Sequence, residues 1–206
     1  MTKSNSSARA RASRDALHDV YVDLLIHLPQ GGGEESTGPS ADTGSGDTDA
    51  PAYRHLPEEG PERDDIVAGL MDTHGDALAG VPGFAQEEAS WSLVGPPGPV
   101  VPVRDVQGRI VALQIVETAG DGSLTYTWLT SVDHGGPDPG SPLHVPEHEG
   151  PTDAVGVTVG AVEADTLTAS TGRLTLGVYS ATEARHLVGA VRVMRARQLI
   201  ISVGPA

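Results

Sequence analysis

An α+β body followed by an α/β layer is the fold class that this sequence predicts, on three observations. Short β-forming segments separated by turn residues fill the middle of the chain, roughly from Trp91 to Thr130. From Val155 onward, strand-like and helix-like segments alternate. Two amphipathic helical stripes precede both regions. Hairpin-linked strands in the middle imply antiparallel pairing, whereas strict strand–helix alternation implies a parallel sheet with right-handed crossovers. The map that follows is a basic disordered tail at 1–14, a short helix at 15–29 and a disordered acidic linker at 30–52. An α+β subdomain at 53–150 and an α/β unit at 151–206 complete it.

Each element has its own warrant. Leu17, Tyr21, Leu24, Leu25 and Leu28 recur at three- and four-residue spacing, which puts them on one helix face. Ser13 or Asp15 can cap that helix, and Pro29 with Gly31–Gly33 ends it. Residues 30–52 offer almost no apolar surface to offset the entropy of ordering, about 1–2 kcal/mol per residue. A second helix is predicted over Pro61–Thr73, with proline in its first turn and Glu62, Asp64 and Asp65 at its positive end. Ile66, Val67, Leu70 and Met71 supply its buried stripe, and Leu78–Phe84 reads as a compact apolar turn.

Strands are predicted at Trp91–Val94, Val100–Arg104, Arg109–Val116 and Leu124–Thr130, with turns at 106–108 and 119–122. Residues 133–142 read as loop, and Leu143–Val145 as one more short strand. Then come a strand at Val155–Val159, a helix at Val162–Ala169 and a strand at Leu174–Tyr179. Ser180 to Glu183 has the capping-box pattern and opens a helix with Leu187, Val188, Val191 and Met194 on one face. Leu199–Val203 closes the series. Trp91, Trp128, Ile110, Leu113, Ile115 and Leu129 are the expected buried anchors.

Composition narrows the function classes. The formal charge of −15 opposes a general nucleic-acid coat, since phosphate binding needs neutralising cations. Lys3 is the sole lysine, so arginine carries nearly all fixed positive charge. Absence of cysteine removes disulfides, thiolate zinc sites and a cysteine nucleophile. No apolar run reaches the length of a membrane span, and the basic start MTKSNSSARARASR lacks the apolar core of a signal peptide. The cytoplasm is the expected compartment.

Several pieces, in order, carry a family resemblance: Gly80–Phe84, Val101–Asp105, Gly108–Ile115, Tyr126–Leu129 and Gly140–Val145. Together with the strand–helix alternation after Val155, they resemble an uncharacterised Toprim-like family found beside plasmid and phage primase-helicases. The resemblance covers about Tyr53 to Ala206. It implies a β-rich region packed before a Toprim half, and magnesium-dependent phosphoryl chemistry run by carboxylates. The family's Thr-Glu-Gly falls on Thr158, Val159 and Gly160, and its Asp-x-Asp on Gly204, Pro205 and Ala206. None of the three expected acids is present, so the resemblance is to a degenerate and truncated form.

Each candidate site has a plainer meaning beside it. Glu163 and Asp165, just past the lost glutamate, read as substitute magnesium ligands or as carboxylates that the dipole favours at a helix start. His134, His144 and His148 lie near Asp133, Asp138, Glu147 and Glu149, but their spacing matches no compact zinc arrangement, so no metal site is assigned. Arg185, Arg192, Arg195 and Arg197 form the densest cationic group, suited to a phosphate backbone or to a solvated helix end. Arg104, Asp105 and Arg109 flank the hairpin turn, where a nucleotide cleft or a charged β-turn are the two meanings. Gly31–Gly33 lacks the lysine and preceding strand of a P-loop.

The reading that results is an accessory or binding protein linked to plasmid or phage replication, without catalysis and without a cofactor. Its partners would be helicase or primase components, or a second copy through Leu199–Val203; nucleic-acid binding would be weak, and no membrane is involved. One alternative is a magnesium-dependent nucleotidyl-transfer or phosphodiester-cleaving enzyme using Glu163 and Asp165. A structural protein of a virus or mobile element is the other.

Overall fold

The computed structural model describes residues 12–30, 53–88, 90–120, 124–150, 152–180 and 184–201. Residues 31–52 of the predicted linker and most of the predicted tail lie outside these residues; Gln30, the linker's first residue, is ordered by an antiparallel bridge to Arg54. The tail's last part does not stay outside the fold: the Ala12 amide donates to the Gly80 carbonyl at 3.0 Å, and helix α1 begins at Arg14. Ser13, not Asp15, is its cap, with Oγ accepting from the Ala16 amide.

Helix α1 (Arg14–His27) is not an appendage. Leu17, Val20, Tyr21, Leu24 and Leu28 are buried in one core with Leu56, Ile66, Leu70, Phe84, Leu113 and Ile115. Val20 joins the face read from sequence, while Leu25 is half-buried and lines a cleft. Helix α2 (Pro61–His74) matches its predicted stripe at Ile66, Val67 and Leu70, and Gly75 ends it with φ +53°. Arg63 of α2 is buried as well. Its guanidinium donates to the carbonyls of Pro57, Leu93 and Gly95, pinning α2 to the strand beneath it.

A four-stranded antiparallel sheet A carries this core, in the order β1 (Arg54–Leu56), β4 (Gly98–Arg104), β5 (Ile110–Thr118), β6 (Leu124–Trp128). The strands on either side of both predicted turns are antiparallel neighbours, β4 with β5 and β5 with β6, and residues 121–123 at the second turn lie outside the described residues. Two strands were not read from sequence. β1 is three residues long, too short for a periodic signal, and β2 (Phe84–Glu87) pairs with β3 (Ser90–Leu93) right after a 3-10 turn over Gly75–Gly80. Ile110, Leu113, Ile115 and Leu129 are buried as expected. Trp91 and Trp128 are only half-buried; Trp128 instead packs edge-on against Tyr179, with ring centroids 4.8 Å apart.

The carboxyl-terminal unit is a three-stranded parallel sheet C in the order β8 (Thr175–Val178), β7 (Ala154–Val159), β9 (Gln198–Ile201). Helix α3 (Ala161–Thr171) joins β7 to β8, and α4 (Ala184–Met194) joins β8 to β9. Strand alternation divides the two sheet faces between the helices. Val155, Leu174 and Leu176 pack with Ala190, Leu187 and Met194 of α4. On the opposite face Thr168 of α3 accepts from the Thr175 amide at 2.9 Å. Val188, expected on the inner face of α4, is 54% exposed, because Ala190 and its neighbours make the contact instead. The capping-box residues 181–183 and the end of the last predicted strand, 202–203, lie outside the described residues.

Sheets A and C are stitched together by residues 143–145. His144 exchanges both backbone hydrogen bonds with Gly177 of β8, and the Val145 amide donates to the Arg104 carbonyl of β4. The short strand read at Leu143–Val145 is thus a single bridge that closes the β8 edge. A small apolar cluster of Val101, Val116 and Ala161 then fills the space between sheet A and α3.

Candidate functional site

Glu163 and Asp165 stand at the junction between α3 and sheet A. Glycine at position 160 makes that junction possible. It has φ +89°, and a side-chain carbon there would fall 2.4 Å from Glu163 Oε2 and 2.7 Å from the Tyr126 hydroxyl. In the space so left, Tyr126 of β6 donates to Glu163 Oε2 at 2.5 Å. Tyr53, just before β1, donates to Asp165 Oδ2 at 3.2 Å, and His144 Nε2 meets Asp165 Oδ1 at 3.0 Å.

The imidazole of His144 is fully enclosed and its hydrogen bonds assign its tautomer. The Arg104 amide donates to Nδ1 at 3.3 Å, so Nδ1 accepts and the proton sits on Nε2, facing Asp165. Neither nitrogen is left to take a proton from a substrate. Both tyrosines are pushed above their ordinary pKa. For Tyr53 the causes are burial, then the Asp165 charge; for Tyr126 they are burial, then the hydrogen bond to Glu163. They remain hydroxyl donors across the physiological range.

Next to Asp165 opens a cleft of about 610 Å³. It is lined by Val100 and Pro102 of β4, by Leu25 and Ala169, and by Arg54, Arg104 and the segment 146–149. Arg104 pairs with Glu147 at 3.1 Å across the mouth. His148 lines the same cleft with Nε2 enclosed and without a hydrogen-bond partner. The volume suits a small ligand. Carboxylates and guanidiniums of both signs surround it, and no single charge class dominates.

The sequence-read sites fall in four places. Glu163, Asp165, His144 and Arg104 converge on the α3 junction and the cleft, together with Glu147 and His148. His134 is remote from them and pairs with Glu87 at 3.1 Å, so the three histidines form no common site. Arg109 and Asp105 make a charged β-turn, and Arg14 and Asp15 of α1 extend the network. Arg192, Arg195 and Arg197 are exposed around the end of α4. Arg185 is on α4 too, with its side chain outside what is described.

Val159, in the place where the resemblance puts a catalytic glutamate, ends the central strand β7 with 67% of its surface exposed. A valine offers no oxygen to a magnesium ion. Glu163 and Asp165 are each committed to protein donors instead. Among the described residues no group of three or more His, Asp or Glu side chains is placed to hold a metal. The described donor set therefore does not fit the divalent ion that the resemblance implies; residues 204–206, the other positions concerned, lie outside the described residues.

Sequence reading missed Tyr53 and Tyr126 as partners of these acids. Their pairing spans 112 and 37 residues of chain, and no local spacing announces it. No helix among the described residues is long and apolar enough to cross a membrane. No family model, curated protein or solved structure matches this chain.

Proposed function

We propose that this chain is a non-catalytic, Toprim-like binding protein that serves the replication of a plasmid or phage. The observation that carries the non-catalytic part is the chemistry at the carboxyl end of β7. Open parallel sheets use that edge, beside the point where the strand order reverses, for their ligands. In this chain the first crossover leads from β7 to β8 on one side, and the second carries the chain from β8 past β7 to β9 on the other, so the reversal lies between β7 and β9. It presents Val159 and Gly160 rather than a carboxylate.

The order β8-β7-β9 with a helix between successive strands supports the Toprim-like part, as does the antiparallel sheet packed before it. The enzyme alternative requires Glu163 and Asp165 to leave Tyr126, Tyr53 and His144. Leaving those donors without acceptors costs about 1–3 kcal/mol for each buried group.

Magnesium titration followed by amide NMR tests this reading. The Val159 and Gly160 amides are expected to show no saturable shift below millimolar magnesium. A saturable sub-millimolar shift there overturns it. So does magnesium-dependent nicking of DNA that disappears in a Glu163→Ala, Asp165→Ala variant.

A further inference from the structure

The exposed apolar surface of this protein is concentrated rather than scattered. Among the described residues eight large apolar side chains are exposed, and six of them belong to the carboxyl-terminal unit: Val159, Val188, Val193, Leu199, Ile200 and Ile201. Three of them are consecutive in β9, whose four residues are all exposed. β9 pairs with β7 on one side, and among the described residues no strand pairs with it on the other. Natural edges are usually blunted by charge, proline, a bulge or a covering element. Gln198–Ile201 has no charge, no proline and an unbroken register with β7.

The two longest stretches outside the described residues are poor in apolar side chains. Residues 31–52 contain no Val, Ile, Leu, Phe, Tyr, Trp or Met, and residues 1–11 contain Met1 as their only large apolar side chain. A strand from either would leave Leu199 and Ile201 facing water.

Charge indicates the occupant. In a protein of net charge −15, Arg192, Arg195 and Arg197 all stand exposed where α4 turns into β9. Among the described residues the carboxylate beside them is Asp153, 4.0 Å from Arg197 with both side chains largely in solvent. Arg195 has φ +57°. It occupies the left-handed position that closes a helix, where the Ala196 amide reaches back to the Val191 carbonyl and glycine is the residue normally found. An arginine held there against its backbone preference is a reason to look for a use of its guanidinium.

We infer that the free edge of β9 is a docking site for an extended peptide segment of another protein. The segment alternates apolar side chains against Leu199 and Ile201 and carries carboxylates at the end beside Arg195 and Arg197. Main-chain pairing to an open edge supplies affinity, and side chains supply choice. In the antiparallel arrangement, the more stable ladder, those carboxylates lie at the segment's carboxyl end. A second copy fits less well, because its own α4 and β9, residues 184–201, bring arginines and no carboxylate to the contact. Nucleic acid fits less well again, since the arginines border an apolar strand instead of a basic groove. The inference does not depend on Toprim descent.

Fluorescence anisotropy with the full chain tests it. The probes are a labelled peptide of alternating valine and threonine ending in an aspartate run, the same peptide ending in a lysine run, and single-stranded oligothymidine. The aspartate peptide is expected to bind roughly tenfold more tightly than the lysine peptide at low salt. That preference is expected to invert in an Arg195→Glu, Arg197→Glu variant, and binding to fall in Ile201→Lys. Hydrogen exchange of the wild-type chain should show new protection at β9 when the aspartate peptide is added. Equal binding of the two peptides, or none, overturns the proposal. A concentration-dependent dimer that Ile201→Lys dissociates assigns the edge to a second copy. Oligothymidine binding lost on the arginine reversal assigns the arginines to nucleic acid.

Discussion

Gly160 illustrates how one residue can serve two demands. Its φ of +89° lies in a region that side-chain-bearing residues avoid, and its missing side chain leaves room for the Tyr126–Glu163 pair. A Gly160→Ala substitution meets both obstacles at once: a strained backbone and a carbon 2.4 Å from a carboxylate oxygen. The expected cost is about 1–3 kcal/mol for the backbone and more for the displaced hydrogen bond. Urea denaturation of the variant measures it. A loss below about 0.5 kcal/mol, the usual range for a harmless surface change, would mean that the junction yields easily. The glycine was legible in the sequence as part of a motif. Its physical reason was not, because Tyr126 approaches it from a strand 34 residues earlier in the chain.

At the scale of elements, the β4–β5 hairpin is held by the side chain of Asp105 as much as by its own ladder. Oδ1 accepts from the amides of Gln107 and Arg109, at 2.9 and 3.2 Å, and Oδ2 from the Arg109 guanidinium at 2.8 Å. Arg14 of α1 adds a bond at 3.3 Å, so the turn also anchors the first helix. Burial opposes the charge on Asp105, but the Arg109 hydrogen bonds and the two amides outweigh it and hold its pKa below the ordinary value. A depressed folded-state pKa stabilises the fold above the unfolded value of about 4, and that contribution is lost as pH falls through the folded value. Asp105→Asn is therefore expected to cost about 1.5–3 kcal/mol at pH 7 and progressively less as pH falls below about 4. Chemical denaturation at both pH values checks the sign. A cost that is the same at both would separate the effect from ionisation. Spacing and turn chemistry made this hairpin, α2 and the parallel series readable from sequence, since each rests on near neighbours. β1 and β2 escaped because three or four residues cannot display a period, and Val188 was misplaced because α4 contacts its sheet through Ala190.

For the whole molecule, the question is how firmly two sheets with separate cores act as one. Sheet A has the larger core, closed by α1 and α2. Sheet C relies on a smaller cluster, and its link to sheet A runs through residues 143–145, the Val101–Val116–Ala161 contact and the carboxylates of α3. Asp165 concentrates that link, since one carboxylate receives Tyr53 from the sheet A side and His144 from the stitching segment. The amide of an Asp165→Asn variant has one oxygen for these two donors: turned toward His144 it leaves its N–H on the Tyr53 oxygen, and the Tyr53 hydroxyl hydrogen loses its acceptor. A loss of about 1–3 kcal/mol follows from the bond left unmade. It should fall unevenly. Amides of β7 and β8 are expected to lose hydrogen-exchange protection first, while those of α1 and β5 keep theirs, because subglobal opening follows the weaker core. Equal loss of protection in both sheets would instead make the molecule a single cooperative unit, with Asp165 bonded into its common core.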